Sequence, residues 1–174
     1  MLFSSLLKYF FLCLLLCFFV YSSVCFGEQE IESKNGQENY VPDKHIKIIK
    51  VLEILNDKKL KAGGLQSLIF ERAYWNWGAI TPSDFRARAG QIYIFAWKKG
   101  GKAEALTARF EYRQLNTKEQ TWSQSIYYPK AHGAIDSIFK VIGDVYFTNG
   151  TVFAWRFSVL RNNTIVAQTK SFIW

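Results

Sequence analysis

Residues 40–174 read as an all-β, antiparallel sandwich of seven or eight short strands, with one short helix near residues 82–89. Three observations lead there. "LTARFEY", 106–112, alternates strictly, with Leu106, Ala108, Phe110 and Tyr112 on one face and Thr107, Arg109 and Glu111 on the other. That is the period-2 pattern of a half-buried strand. Asn149-Gly150 and Asn162-Asn163 punctuate the C-terminal part, and both pairs tolerate the positive φ of tight hairpins. Between such turns, β-branched and aromatic segments recur at near-regular spacing.

Taken in order, "HIKIIKVLEILND", 45–57, is rich in β-branched residues and reads as a strand, although its Ile46, Ile49, Leu52, Leu55 spacing also suits a helix. Asn56-Asp57 turns the chain. "LQSLIFERAYWNW", 65–77, reads as a second long strand. Parity along it puts Trp75 and Trp77 with Ile69 and Ala73 towards the core, and Arg72, Tyr74 and Asn76 on the other face. Those last three are the candidate binding residues. Thr81-Pro82-Ser83-Asp84 is a helix start, with Thr at the N-cap, Pro at N1 and Asp reaching back, and Gly90 ends the helix.

"QIYIFAW", 91–97, is apolar on both faces, and Tyr93, Phe95 and Trp97 form one aromatic row. "TWSQSIYY", 121–128, carries Trp122, Ile126 and Tyr128 on one side, and "SIFKVIG", 137–143, is a further strand. "TVFAWRFSVL", 151–160, and "TIVAQTKSFIW", 164–174, complete a three-strand meander, with Trp155 as a core tryptophan between Phe153 and Phe157. A two-layer sandwich buries one face of each strand. The apolar outer faces, Ile92-Ile94-Ala96 and Val152-Ala154, therefore need a cover: the short helix, the N-terminal segment or a partner.

Residues 1–27 differ in kind. A single charge, Lys8, precedes an uncharged, mostly apolar run to Gly27, the pattern of a secretory signal or an N-terminal membrane anchor. The chain beyond it is therefore expected outside the cytoplasm, periplasmic, secreted or membrane-anchored. Residues 28–39, "EQEIESKNGQEN", read as a flexible linker. Cys13, Cys17 and Cys25 all lie in the leader, so the rest has no disulfide, thiolate metal site or thiol nucleophile. A disulfide-free exported domain of this size suits a bacterial envelope. After the leader, twenty-one lysines and arginines face fourteen acids, a net +7. No arginine-rich stripe or RNA-binding aromatic motif accompanies it, so nucleic acid is not expected.

Catalytic chemistry finds little footing. The two histidines, His45 and His132, are far apart in sequence. His132 with Asp136 and Ser137 invites a Ser-His-Asp arrangement, but no nucleophile-elbow motif supports it. Asp84 with Glu71, and Glu104 with Glu111, are the carboxylate pairs a glycosidase would need. Gly63-Gly64 and Gly100-Gly101 read as turns, not phosphate loops. The sequons at Asn149 and Asn162 coincide with turns. No cofactor and no metal are expected.

The strand pattern, the C-terminal meander and "GDVYF" at 143–147 resemble the immunoglobulin and fibronectin type III superfamily, with Tyr146 in the position of the corner tyrosine after Asp144. The resemblance implies a fold, not a function. The expected role is a non-enzymatic extracytoplasmic domain that binds or supports a protein or glycan of the envelope and meets the membrane only through its N-terminal segment. The alternatives are a carbohydrate-binding module using exposed Trp or Tyr, and a hydrolase built from Asp, Glu and His132.

Overall fold

The computed structural model describes residues 39–57 and 66–174. The expected leader at 1–27, nearly all of the linker at 28–39 and the Gly63-Gly64 turn lie outside them. The described chain runs β1 (Ile46–Asn56), α1 (Gln66–Trp75), α2 (Pro82–Arg88), β2 (Gly90–Gln114), β3 (Thr121–Ile142), α3 (Asp144–Asn149), β4 (Val152–Arg161) and β5 (Thr164–Lys170).

The fold is mostly β and antiparallel, as the alternation in the sequence requires. It has five strands among the described residues, not seven or eight, because two pairs of expected strands are continuous. Segments 91–97 and 106–112 are halves of β2, and 121–128 and 137–143 are halves of β3. Phe95 and Phe110 are fifteen positions apart on β2, which a straight strand would stretch over roughly 50 Å. Their ring centroids are 5.5 Å apart, so β2 folds back on itself.

The fold-back sits at Gly100-Gly101, the expected turn. Lys99 pairs with Gly133 and Glu104 with Ala131, so residues 100–103 lie opposite His132 alone. This oversized bulge bends both strands together. The buried Lys99 secures it, its Nζ donating to the Gly100 carbonyl at 2.6 Å and the Lys102 carbonyl at 3.2 Å.

One curled sheet thus supplies two facing layers. β1 and the second half of β3 flank the first half of β2, while β4 and the first half of β3 flank its second half. β5 pairs with β4 across the Asn162-Asn163 turn, whose φ values of 49° and 63° are those the sequence called for. The expected meander does not form, because β3 and β4 lie on opposite sides of β2. Asn149-Gly150 closes α3 instead of a hairpin, and "GDVYF" opens that helix, so Tyr146 is not at a strand corner.

The core lies between the layers. Tyr93, Phe95, Trp97, Phe110, Tyr112 and Phe157 are completely buried, and Phe95 stacks on Phe157 with centroids 4.1 Å apart and planes 4° apart. Each such ring contributes about 1.5–3 kcal/mol by burial, and favourable ring pairs add about 0.5–1.5 kcal/mol. Trp122, Ile126, Tyr128 and Trp155 pack at the margin, half-buried. Buried carboxamides tie the layers together. Gln91 accepts from the Val152 N–H at 2.6 Å and donates to Glu53 at 2.9 Å, while Gln114 donates to the Val145 and Gly150 carbonyls.

Because β2 doubles back, its two ends share one end of the molecule, with the helices around them. The capping box at α2 forms as read, Asp84 accepting from the Thr81 N–H at 2.8 Å and Thr81 accepting from the Asp84 N–H at 3.2 Å. Ala89 is its C-cap and Gly90, the next residue, ends it as read. Gly90 opens β2 at φ 148°, where a Cβ would stand 2.3 Å from the Val141 carbonyl oxygen.

Candidate functional site

Segment 65–77 departs furthest from its expected form. It is helical from Gln66 to Trp75, not a strand. Successive residues therefore advance by about 100°, and the parity that grouped Arg72, Tyr74 and Asn76 is lost. Residues four apart share a face, so Arg72 and Asn76 lie together and Tyr74 points away from them. Asn76 faces the sheet: its Nδ2 donates to Asn56 Oδ1 and to the Arg72 carbonyl, both at 2.8 Å. It is a structural residue, whereas Tyr74 is 65% exposed.

Trp75 and Trp77, expected in the core, are not core residues. Trp75 is half-buried, with the Lys140 ammonium 5.2 Å from its ring. Trp77 is 85% exposed. Phe70, at 73%, and Ile80, at 86%, continue the row. On the helix Phe70 and Tyr74 are neighbours by spacing, and Trp77 follows in the hydrogen-bonded turn, its N–H donating to the Tyr74 carbonyl. The Arg88 guanidinium donates to the Trp77 carbonyl and holds this exit loop against α2. Phe70, Tyr74, Trp77 and Ile80 are thus open along this one segment; Phe172 and Ile173, at the other end of the sequence, are also exposed.

The catalytic candidates are scattered or otherwise engaged. Ser137 is fully buried, accepts from Trp97 Nε1 at 2.9 Å and shares a 2.8 Å hydrogen bond with the Tyr128 hydroxyl. His132 and Asp136 stand on the exposed side of the same strand. His45 is at the solvent-facing start of β1, its N–H donating to Asp43. Glu111 takes two hydrogen bonds from Arg156, at 2.7 and 2.8 Å. Asp84 is held below the usual carboxylate range by the N–H groups of Thr81 and Ile80. Among the described residues no group of three His, Asp or Glu side chains is placed to hold a metal.

At the bend, Arg161 draws two carboxylates together. It meets Glu104 at 2.5 and 2.9 Å and Asp43 at 2.5 Å, and Lys99 lies 3.1 Å from Glu104. The Arg161 guanidinium lowers the pKa of both acids, and they raise its own. This clasp ties the entering chain to the β4–β5 hairpin and lines one side of an open hollow of about 540 Å³. A second groove, about 370 Å³, separates β1 from β5. Its β1 side carries Lys50 and a bulge at Ile49, devices that discourage strand addition at an edge.

No family model, no curated protein and no solved structure matches this chain.

The sequence carried one signal for the exposed face. Phe70, Ala73, Tyr74 and Trp77 repeat at helical, not strand, spacing.

Proposed function

We propose that the chain is a non-enzymatic extracytoplasmic interaction domain, a two-layer antiparallel β sandwich that makes contact through its helical end. The export reading rests on the leader-like residues 1–27. One observation carries the contact surface: Phe70, Tyr74, Trp77 and Ile80 are each more than 60% exposed along α1 and its exit loop, in a chain that buries many of its other rings. The three rings alone expose on the order of 500 Å², at the upper end of what a monomer leaves open without a use for it. The apolar outer faces expected to need a cover, Ile92-Ile94-Ala96 and Val152-Ala154, are buried or half-buried within the molecule, so the contact surface proposed here is a different one.

A carbohydrate platform draws less support. Trp75, the ring that contacts Tyr74, stands edge to face with it at 86° and is half-buried, so these two do not form a flat open stacking face. The hydrolase reading, built from Asp, Glu and His132, also draws less support, since Glu111 is engaged by Arg156 and Glu104 by Arg161.

A photo-crosslinking amino acid in place of Trp77, in the full chain expressed in cells, tests the surface directly. The reading expects an adduct, of lipid or of protein, that the same probe at exposed Lys118 does not give. No adduct at position 77 would sink it.

A further inference from the structure

Resting on that reading, we infer that the partner of the helical end is a phospholipid bilayer surface bearing anionic headgroups. The side chains are those that sit well at a membrane interface: an aromatic pair, Tyr74 and Trp77, flanked by Phe70 and Ile80. Their geometry is that of insertion. At 85% and 86% exposure, Trp77 and Ile80 have almost no protein neighbours and stand proud of the surface. A bilayer accepts such protruding groups without a complementary pocket.

The charges nearby fit the same surface. Arg88 donates to the Trp77 carbonyl, with Asp84 also within its field, and Lys140 lies over the Trp75 ring, so both cations neighbour the exposed row. Of the carboxylates at this end, Asp84 is engaged by two backbone N–H groups and Asp144 by Arg86 at 3.2 Å, and Glu71 follows Phe70 on α1. The +7 net charge beyond the leader adds a general attraction to a surface that carries anionic lipid. Among the described residues no helix is long and apolar enough to span a bilayer.

The entering chain reaches the domain at the bend, the far end of β1 from α1, roughly 35 Å away along eleven strand residues. Residues 28–39 span up to about 40 Å when extended. That length lets a domain tethered by its leader lie down and bring its helical end to the same membrane.

All six tryptophans lie outside residues 1–27, so tryptophan fluorescence of the full chain in vesicles reports on the domain and not on the leader. The full chain is reconstituted in vesicles of brominated phosphatidylcholine with or without brominated phosphatidylglycerol. Quenching is expected, stronger with phosphatidylglycerol, and at least halved in Phe70→Ser/Ile80→Ser, which keeps every tryptophan. Equal, negligible quenching of wild type and variant in both vesicles overturns the membrane assignment. A protein adduct from position 77 together with no quenching leaves the interaction reading standing and removes the bilayer as its partner.

Discussion

Asn56 and Asn76 exchange amide hydrogen bonds between β1 and the chain leaving α1, Asn76 Nδ2 donating at 2.8 Å and Asn56 Nδ2 donating back at 3.3 Å. Asn56 also donates to the Arg88 carbonyl at 2.8 Å, so one buried side chain at the end of β1 holds both helices. The exposed row is therefore presented from a fixed mount. Asn76→Ala leaves Asn56 with an unanswered acceptor and is expected to cost about 1–3 kcal/mol. Amide exchange of residues 66–76 should rise more than that of β2. A double-mutant cycle should show the pair coupled, with Asn56→Ala/Asn76→Ala costing less than the two single changes together.

Ser137 separates a structural role from a catalytic one. Ser137→Ala strands the buried Trp97 indole N–H and should lower stability by about 1–3 kcal/mol. His132→Ala, at an exposed position, should change it by no more than about 0.5 kcal/mol. Chemical denaturation of both variants decides the matter. A hydrolytic activity lost equally in both would contradict the assignment.

The Arg161 clasp makes stability pH-dependent in one direction. Asp43 and Glu104 have folded pKa values below their ordinary 3.8 and 4.5, first because of their hydrogen bonds from Arg161. A lowered folded pKa gives stability that is present above the ordinary value and is lost as pH falls through the folded one. Melting temperature should therefore hold from neutral pH down to about 5 and drop below about 4. Arg161→Gln should flatten that acid limb. An acid limb unchanged in the variant would place the cause elsewhere.

Gly90 is required by geometry. Gly90→Ala puts a Cβ 2.3 Å from the Val141 carbonyl at φ 148°, and both atoms are backbone-bound, so neither yields cheaply. A loss of roughly 3 kcal/mol or more is expected. Gly78, with open space around it, is the matched control: Gly78→Ala carries only the strain of its positive φ and should cost less.

What was legible in the sequence was local. The Thr81–Asp84 capping box, the Asn162-Asn163 turn and the strict alternation of 106–112 are each decided by a few neighbouring residues, and each took its expected form. The strand count failed because Gly100-Gly101 marks a change of direction without saying whether pairing stops there. Only the distant β3 register, four residues opposite one, shows that it continues. The meander failed for a related reason, since which edge of β2 receives β4 is a long-range choice. At 65–77 the four aromatic residues and Ile69 suit a strand, and strand parity groups Arg72, Tyr74 and Asn76, which the helix separates. Tyr74 was recovered as an exposed ring, while its supposed neighbour Asn76 serves the fold. Phe70 shares the helical spacing of Tyr74 and Trp77, whereas the exposure of Ile80 is a property of the assembled molecule alone.

The claim that the helical end is a contact surface and not displaced core is tested most directly by the melting temperature of Phe70→Ser/Ile80→Ser, measured beside its crosslinking at position 77. Surface side chains away from special contacts change stability by about 0.5 kcal/mol or less, which for a domain of this size is a shift within about 2 °C. Unchanged melting with a lost crosslink is the predicted result. A fall of many degrees would show that these side chains hold the fold together and would contradict the assignment.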